Sequence, residues 1–390
     1  MPTSAAIRFS PFDDDVIRDP YPHYARLRAE DPVHHNPDLG LTVLSRHEDV
    51  RAAARDHVRF SSANGVAFAR MRIPMMLTMD DPGHQRLRRF VWRDFTPRAV
   101  TRWQPVIDAL ADELVLALPD RFDFAEAVAA PLPVRLIATV IGVPESDYPM
   151  FKRWSDEIVR GFAVADLAEL DAASVEAVSQ LVAYTHELIA RRRAAPRHDL
   201  LSTLLEPRDG DRLSDDEIVF FFLLLLVAGN ETTTNLLSNL FHALAVHPRQ
   251  WALLREGAAT PEMATEEALR YDPPIQGFFR DATEDVVLHG TTVRAGTRVL
   301  LLWASANRDE RVYESPDRFD VTRTLSDHTA FGHGVHVCLG AHLARLEVRA
   351  VLVRMLRRYE RLALADPVVP THNPTIRGFH HLGLSGVPAR

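Results

Sequence analysis

Apolar residues recur every three or four positions through most of the chain up to about Tyr271, the period of amphipathic helices. Asp19-Pro20-Tyr21-Pro22 opens the first such segment, which runs to about Glu30. Leu41-Thr42-Val43-Leu44 alternates and reads as a short strand, Val50 to Arg55 as a brief helix, and the run with Ser61, Ser62, Asn64 and Gly65 as a loop. Strand signals return from Val286 to Leu302, with turns at His289-Gly290 and Ala295-Gly296, and a last short β pattern spans Ile376 to Leu384. The pattern predicts a mainly α fold with a small β portion.

The longest predicted helix has a defined start. Ser214-Asp215-Asp216-Glu217 is a capping box, with Ser214 as N-cap and Glu217 at the third helical position. The helix it opens runs to about Val246, long enough to cross a whole domain. Within it lies Ala228-Gly229-Asn230-Glu231-Thr232-Thr233. A helix selected only for stability would avoid the glycine, at a cost of roughly 1 kcal/mol. Thr232 can donate to the carbonyl of Ala228 and so bend the helix, leaving a groove beside an acid and an alcohol. Gly229 would let a small ligand sit against the backbone. Asn230-Glu231-Thr232 also matches a glycosylation sequon, a chance match in this helical, apolar setting.

Composition narrows the class. The chain has 390 residues, 46% of them hydrophobic and 25% charged, as expected of a folded protein with a large core. No Gly-, Ser- or Pro-rich linker and no repeat divides it, which predicts a single domain over residues 1–390, with no fused reductase. The formal net charge of −8 argues against general nucleic-acid binding. The first residues carry no long apolar run, and the run from Val219 to Gly229 is too short to span a bilayer, so no signal peptide or membrane anchor is expected. A single cysteine, Cys338, suits a reducing cytoplasm and excludes an internal disulfide or a Cys-rich zinc site.

Cys338 lies in Phe331-Gly332-His333-Gly334-Val335-His336-Val337-Cys338-Leu339-Gly340, and a helical pattern follows from Ala341. A cysteine just before a helix receives unpaired N–H groups and the positive end of the helix dipole, which favour the thiolate. Gly334 allows a tight turn with positive φ, and Gly340 a close backbone approach. One thiolate can bind one metal, and His336 could reach a carboxylate on a cofactor.

This segment resembles the haem-binding signature of cytochrome P-450 enzymes, Phe-x-x-Gly-x-His-x-Cys-x-Gly, at every defined position. Three further segments match that family in the right order, so the resemblance covers nearly the whole chain. It implies a haem b cofactor with Cys338 as iron ligand, and dioxygen as co-substrate. Ala228 to Thr232 resembles the family's oxygen-binding motif, which implies that Thr232 hydrogen-bonds dioxygen and Glu231 feeds protons through water. Glu267-Ala268-Leu269-Arg270 would by spacing alone be a surface ion pair. Its likeness to the family's Glu-x-x-Arg motif implies a buried pair, with Arg318 of Pro316-Asp317-Arg318 as third member. His84 and Arg88, spaced i and i+4, together with Arg280 and His336, would donate to the two haem propionates.

By the same resemblance the substrate pocket would take in the loop from Ala67 to Thr78, the region near Phe162, Val227, Ala228, the stretch from Ile275 to Phe279 including Phe278, and Phe379. These positions are mostly apolar, which suits a hydrophobic small molecule. Arg70 and Arg72 are expected to face solvent. Gly383 departs from the pattern where many relatives carry proline. Arg86, Arg89, Arg93, Arg345 and Arg349 would lie on the cysteine side as a basic patch for an acidic ferredoxin. No flavin or nicotinamide fingerprint occurs, so electrons would come from that ferredoxin and an NAD(P)H-dependent ferredoxin reductase.

The expected activity is thus that of a soluble, cytoplasmic, haem-thiolate monooxygenase that hydroxylates, dealkylates or epoxidises its substrate, a monomer by default, with no nucleic-acid or membrane partner. Two rivals stand beside it. A haem gas sensor or carrier would not need the acid–alcohol pair. A zinc protein using His333, His336 and Cys338 would leave the other three motifs unexplained.

Overall fold

The computed structural model describes residues 7–161, 171–325 and 327–389. Its helices of eight residues or more are α1 (Tyr21–Glu30), α2 (His47–Arg55), α3 (Gly83–Trp92), α4 (Gln104–Leu116), α5 (Pro131–Ile141), α6 (Tyr148–Gly161), α7 (Ala172–Ala194), α8 (Asp215–Val246), α9 (Pro248–Arg255), α10 (Pro261–Tyr271) and α11 (Ala341–Arg358). Between them run β1 (Val33–Asn36), β2 (Leu41–Leu44), β3 (Phe60–Ser61), β4 (Arg121–Asp123), β5 (Phe278–Ala282), β6 (Val286–Leu288), β7 (Thr291–Val293), β8 (Arg298–Leu301), β9 (Tyr359–Leu364), β10 (Val369–Pro370), β11 (Phe379–His381) and β12 (Gly383–Pro388).

The capping box forms as expected: Ser214 Oγ accepts from the Glu217 amide at 3.2 Å, and Glu217 Oε2 accepts from the Ser214 amide at 2.8 Å. From that start α8 runs through the centre of the molecule and packs against α5, α6, α7, α9, α10 and α11. By length and composition it could cross a bilayer, but 61% of its most apolar window is buried among these neighbours. It is the axis of the main core, around which Phe222, Leu226, Leu237 and Phe241 are fully enclosed. The helix is continuous through Ala228–Thr233, and the expected bond from Thr232 to the Ala228 carbonyl forms there. Gly229 has a packing reason as well: a Cβ there would stand 2.9 Å from Ile137 Cδ1 of α5.

The five-stranded sheet has the order β1-β2-β8-β5-β3, with β2 and β8 parallel and the other pairs antiparallel. It forms a second layer beside the helices, and Arg280 leaves it in register with Val299. The fold is mainly α with a small β portion, as expected. The expected turns are present: His289 and Gly290 both have positive φ, as does Gly296. β1 and β9 went unpredicted for physical reasons. β1 is a polar edge strand, Val33-His34-His35-Asn36. β9 buries Tyr359 and Leu362, three apart, so its apolar spacing continues the helical period of α11.

Candidate functional site

One face of α8 builds one wall of a large internal cavity. Phe221, Leu224, Leu225, Ala228, Gly229, Thr232, Thr233 and Leu236 follow each other at spacings of three, one, three, one, three, one and three, a single helical stripe. The cysteine loop forms the opposing wall, and Met76, Leu77, Ile275 and Phe278 close the sides. The space amounts to about 1410 Å³ when its open mouth is counted in.

The cysteine loop is fixed by its own backbone. The Cys338 amide donates to the Phe331 carbonyl at 2.8 Å, and the Gly332 amide to that of Thr329 at 2.8 Å. Gly334 has φ +75°, and a Cβ there would lie 2.5 Å from the Ala54 carbonyl oxygen, so the loop can seat on the end of α2 only as glycine. A Cβ at Gly340 would meet no protein atom within 4 Å. The expected close approach there is therefore not to protein; Gly340 borders the cavity. Burial raises the Cys338 thiol pKa, outweighing the Gly340 and Ala341 amides and the charges of Arg88 and Arg345. The two amides of the helix start act to lower it, as expected of that position, and a cation at the sulfur would complete the shift to thiolate.

Four side chains with nitrogen donors converge at the rim, and among the described residues only His84 has a carboxylate within ion-pair distance. Arg280 is buried, its guanidinium makes one hydrogen bond, to the Phe279 carbonyl at 2.8 Å, and burial pushes its pKa down to about 10. Arg88 lines the cavity with no carboxylate partner among the described residues. His84 has Asp81 at 3.4 Å, and its ring lies 4.2 Å from that of His336. His336 Nε2 is buried with no hydrogen-bond partner, and burial, then Arg280 and His84, push its pKa down to about 2. Uncompensated buried cations are costly, and two carboxylates would satisfy this set. A sulfur donor on one wall, glycines beside it and four nitrogen donors with a single acid between them at one edge fit a haem with two propionates. Cys338 would hold the iron, His84, Arg88, Arg280 and His336 the propionates, and Phe331, Gly334 and Gly340 would shape the bed.

The helix motif divides. Thr232 lines the cavity, its Oγ1 donating to the Ala228 carbonyl at 2.6 Å. The Glu231 carboxylate does not line it; it accepts from Asn235 Nδ2 at 3.0 Å, and burial raises its pKa. Ala228, Ile275 and Phe278 line the cavity, whereas Val227 and Phe379 do not. Val227 is one residue, about 100°, off the stripe, and Phe379 packs against His242, ring centroids 4.5 Å apart. Of the loop from Ala67 to Thr78, Met76 and Leu77 take part. The region near Phe162 lies outside the described residues. Arg70 is half exposed and pairs with Asp281, while Arg72 donates to Asn64. Gly383 pairs with Asp123 across β12 and β4.

Glu267 and Arg270 are fully buried and joined by two hydrogen bonds of 2.8 Å. The third cation is a correction. The Arg318 side chain is 68% exposed and turns to Asp320; only its backbone carbonyl accepts from Arg270, at 3.1 Å. The guanidinium at Glu267 is that of Arg323, at 3.5 Å. Arg323 sits in an aperiodic loop that gives no sequence signal. Sequence reasoning also missed Glu347, 98% buried on α11, lining the cavity with Oε2 unpartnered. Its spacing from Leu343 and Ala344 could have placed it on that face. His333, His336 and Cys338 do not gather ligand atoms; among the described residues the group that does is Glu48, Asp49 and His289, far in sequence from the cysteine loop.

The family model for cytochrome P-450 matches residues 152–259 and 261–379. The chain belongs to the cytochrome P-450 family. A putative cytochrome P-450 123 of Mycobacterium tuberculosis is 41% identical over 389 residues, 96% of each chain. The vitamin D(3) 25-hydroxylase of Pseudonocardia autotrophica is 38% identical, covering 97% of this chain and 96% of that one. Among solved structures, cytochrome P-450 CYP109Q5 from Chondromyces apiculatus has a TM-score of 0.89 at 35% identity, covering 98% of both chains. The protein is thus a haem-binding, dioxygen-using monooxygenase, and the sensor and zinc readings fall away.

Proposed function

We propose that this P-450 oxidises an uncharged, largely apolar small organic molecule, with electrons from a separate ferredoxin that an NAD(P)H-dependent ferredoxin reductase reduces. The observation that carries this reading is the division of the cavity. Its cations lie at one rim, and the wall made by the α8 stripe, Met76, Leu77, Ile275 and Phe278 bears no charge. A carboxylate buried against that wall would lack a donor. The vitamin D(3) hydroxylase, a relative named for a largely apolar substrate, supports the same reading.

When bound, haem supplies dioxygen activation, and a thiolate ligand favours O–O cleavage. The residues do the rest. Cys338 Sγ anchors the iron, and the four rim donors fix the porphyrin's rotation. The stripe from Phe221 to Leu236 excludes water and orients the substrate. Thr232 Oγ1 gives its hydrogen bond to the Ala228 carbonyl at rest and turns it into the cavity during turnover. Glu231, which burial keeps protonated to higher pH, resupplies that hydroxyl through water. Two electrons and two protons are consumed; one oxygen atom enters the substrate and the other leaves as water. Hydroxylation, dealkylation and epoxidation share this machinery. Glu267 and Arg270 hold the cysteine side in shape. Residues 1–390 act as one catalytic domain, as a monomer in the cytoplasm, where the lone cysteine stays reduced.

The test is a spectral titration with a panel of neutral terpenoids and sterols beside fatty and aromatic acids, followed by turnover with ferredoxin, reductase and NADPH. Neutral ligands should shift the haem spectrum from low to high spin and be oxidised. A response confined to the acids, or turnover that the ferredoxin system cannot support, would overturn the proposal.

A further inference from the structure

Arg345 is one of five arginines expected to form a basic patch, and most of that patch is engaged within the protein. Arg86 pairs with Asp211 at 2.9 Å and with Glu217, Arg93 pairs with Asp209, and Arg349 reaches Glu262 at 3.1 Å. Arg345 is held twice: Nε and Nη2 donate to the two carboxylate oxygens of Glu266, at 2.6 and 2.8 Å. Such a two-point contact fixes the direction of the guanidinium as well as its place. Glu266 has a second partner, His328, whose Nε2 stands 2.9 Å from Oε2 on a side chain 5% exposed. The Ala330 amide reaches His328 Nδ1 at 3.3 Å. An amide only donates, so Nδ1 accepts and the ring hydrogen on Nε2 faces Glu266. Burial would raise the Glu266 pKa, but the hydrogen bonds from Arg345 and His328 outweigh it and bring it down to about 2.

Both partners of Glu266 end on the cysteine loop. The Arg345 guanidinium carbon lies 4.5 Å from the Phe331 ring centroid, and the His328 ring 5.9 Å from the same ring. The Phe331 carbonyl in turn accepts from the Cys338 amide at 2.8 Å. A contiguous path therefore leads from the carboxylate to the residue that carries the sulfur. Against the dominant effect of burial, the Arg345 charge is among those that favour the Cys338 thiolate. The Arg345 side chain is 34% exposed, so without Glu266 it can turn to water. Its remaining ties would be the ring contact and one bond of 3.4 Å to the Ala341 carbonyl, which are weaker than two charge-assisted bonds.

We propose that Glu266 is a positioning residue for the haem: it holds Arg345 over Phe331 and His328 against Ala330, and the cation fixed in this way sets how readily the haem takes up an electron. One-electron reduction adds a negative charge to the haem and its thiolate, and a cation kept beside the cysteine loop favours that state. The ion pair has no net charge, but its positive member is the one that lies over the loop. Glu266 touches neither the cavity nor Cys338, so its influence passes through the side chains it orients, as partners behind a metal ligand commonly act. Glu267, the next residue of α10, serves the other side of the same region through Arg270.

The test is a mediated redox titration of the haem-loaded protein, followed by absorbance, which needs neither ferredoxin nor substrate. Arg345→Gln removes the charge and should shift the one-electron equilibrium about tenfold towards the oxidised form, a fall of about 59 mV. Glu266→Ala releases Arg345 to solvent and should move the same equilibrium in the same direction, by about threefold or more. An acid that merely offset the arginine's charge would give a rise instead. Arg345→Lys keeps a cation and should stay within about threefold of wild type. In an Arg345→Gln background, Glu266→Ala should lower the potential no further. Haem-to-protein ratio and the carbon monoxide spectrum check each variant, and where Glu266→Ala does not load haem, Glu266→Gln is read by the same signs. A potential that rises or stays unchanged in the Glu266 variant, an unchanged one in Arg345→Gln, or a further fall in the double variant would overturn the inference.

Discussion

Arg323, and not Arg318, brings its guanidinium to Glu267: Nε stands 3.5 Å from Oε1, while Arg318 is 68% exposed beside Asp320. Glu267 and Arg270 form the buried knot that ties α10 to the loop ahead of the cysteine, through the Asn307, Pro316 and Arg318 carbonyls. Arg323→Ala should therefore cost about 1–2 kcal/mol, and Arg318→Ala within about 0.5 kcal/mol of zero. Glu267→Ala, which strands a buried cation, should cost about 3–5 kcal/mol. Urea unfolding of the three variants measures the order.

Two glycines of the cysteine loop should respond differently to the same change. Both have positive φ, but a Cβ on Gly334 would strike the Ala54 carbonyl at 2.5 Å, whereas one on Gly332 would find nothing closer than 3.7 Å. Gly332→Ala should cost about 1–2 kcal/mol of backbone strain and still load haem. Gly334→Ala should displace the loop and lower the haem-to-protein ratio severalfold, as read from the absorbance of purified protein.

Thr232→Ala should keep haem content and substrate binding and divert reducing equivalents to hydrogen peroxide, because the hydroxyl that passes protons into the cavity is gone. Peroxide formed per NADPH should rise several-fold. Unchanged coupling would remove Thr232 from the proton route.

Glu347 makes stability fall with pH. Burial holds its carboxyl pKa well above the ordinary value, so the folded state keeps a proton that the unfolded chain releases above about pH 4.3. Between that value and the folded one, the native state binds more protons, and raising the pH favours unfolding. Glu347→Gln removes the dependence. Its Tm should exceed wild type by roughly 2 °C at about pH 8, and the difference should close towards pH 4.

What the chain disclosed in advance was whatever has a period or a fixed motif. The capping box at Ser214 and Glu217, the Thr232 hydroxyl bonded back to Ala228, and the rim formed by His84, Arg88, Arg280 and His336 all follow from spacing along one helix or from the family motifs. Positions set by tertiary rotation did not. Val227 and Glu231 each miss the cavity by one residue of helical turn, and the Glu231 carboxylate instead accepts from Asn235. Arg323 replaces Arg318 because a loop without period decides which side chain turns inward. β9 hid because Tyr359 and Leu362 keep a helical spacing in an extended strand.

The central claim is that Cys338 sulfur holds the haem iron. Reduced protein under carbon monoxide tests it most directly. The account predicts the long-wavelength band that gives the family its name, and its loss in Cys338→Ser. Haem-loaded protein without that band, or a Cys338→Ser variant that retains it, would contradict the account.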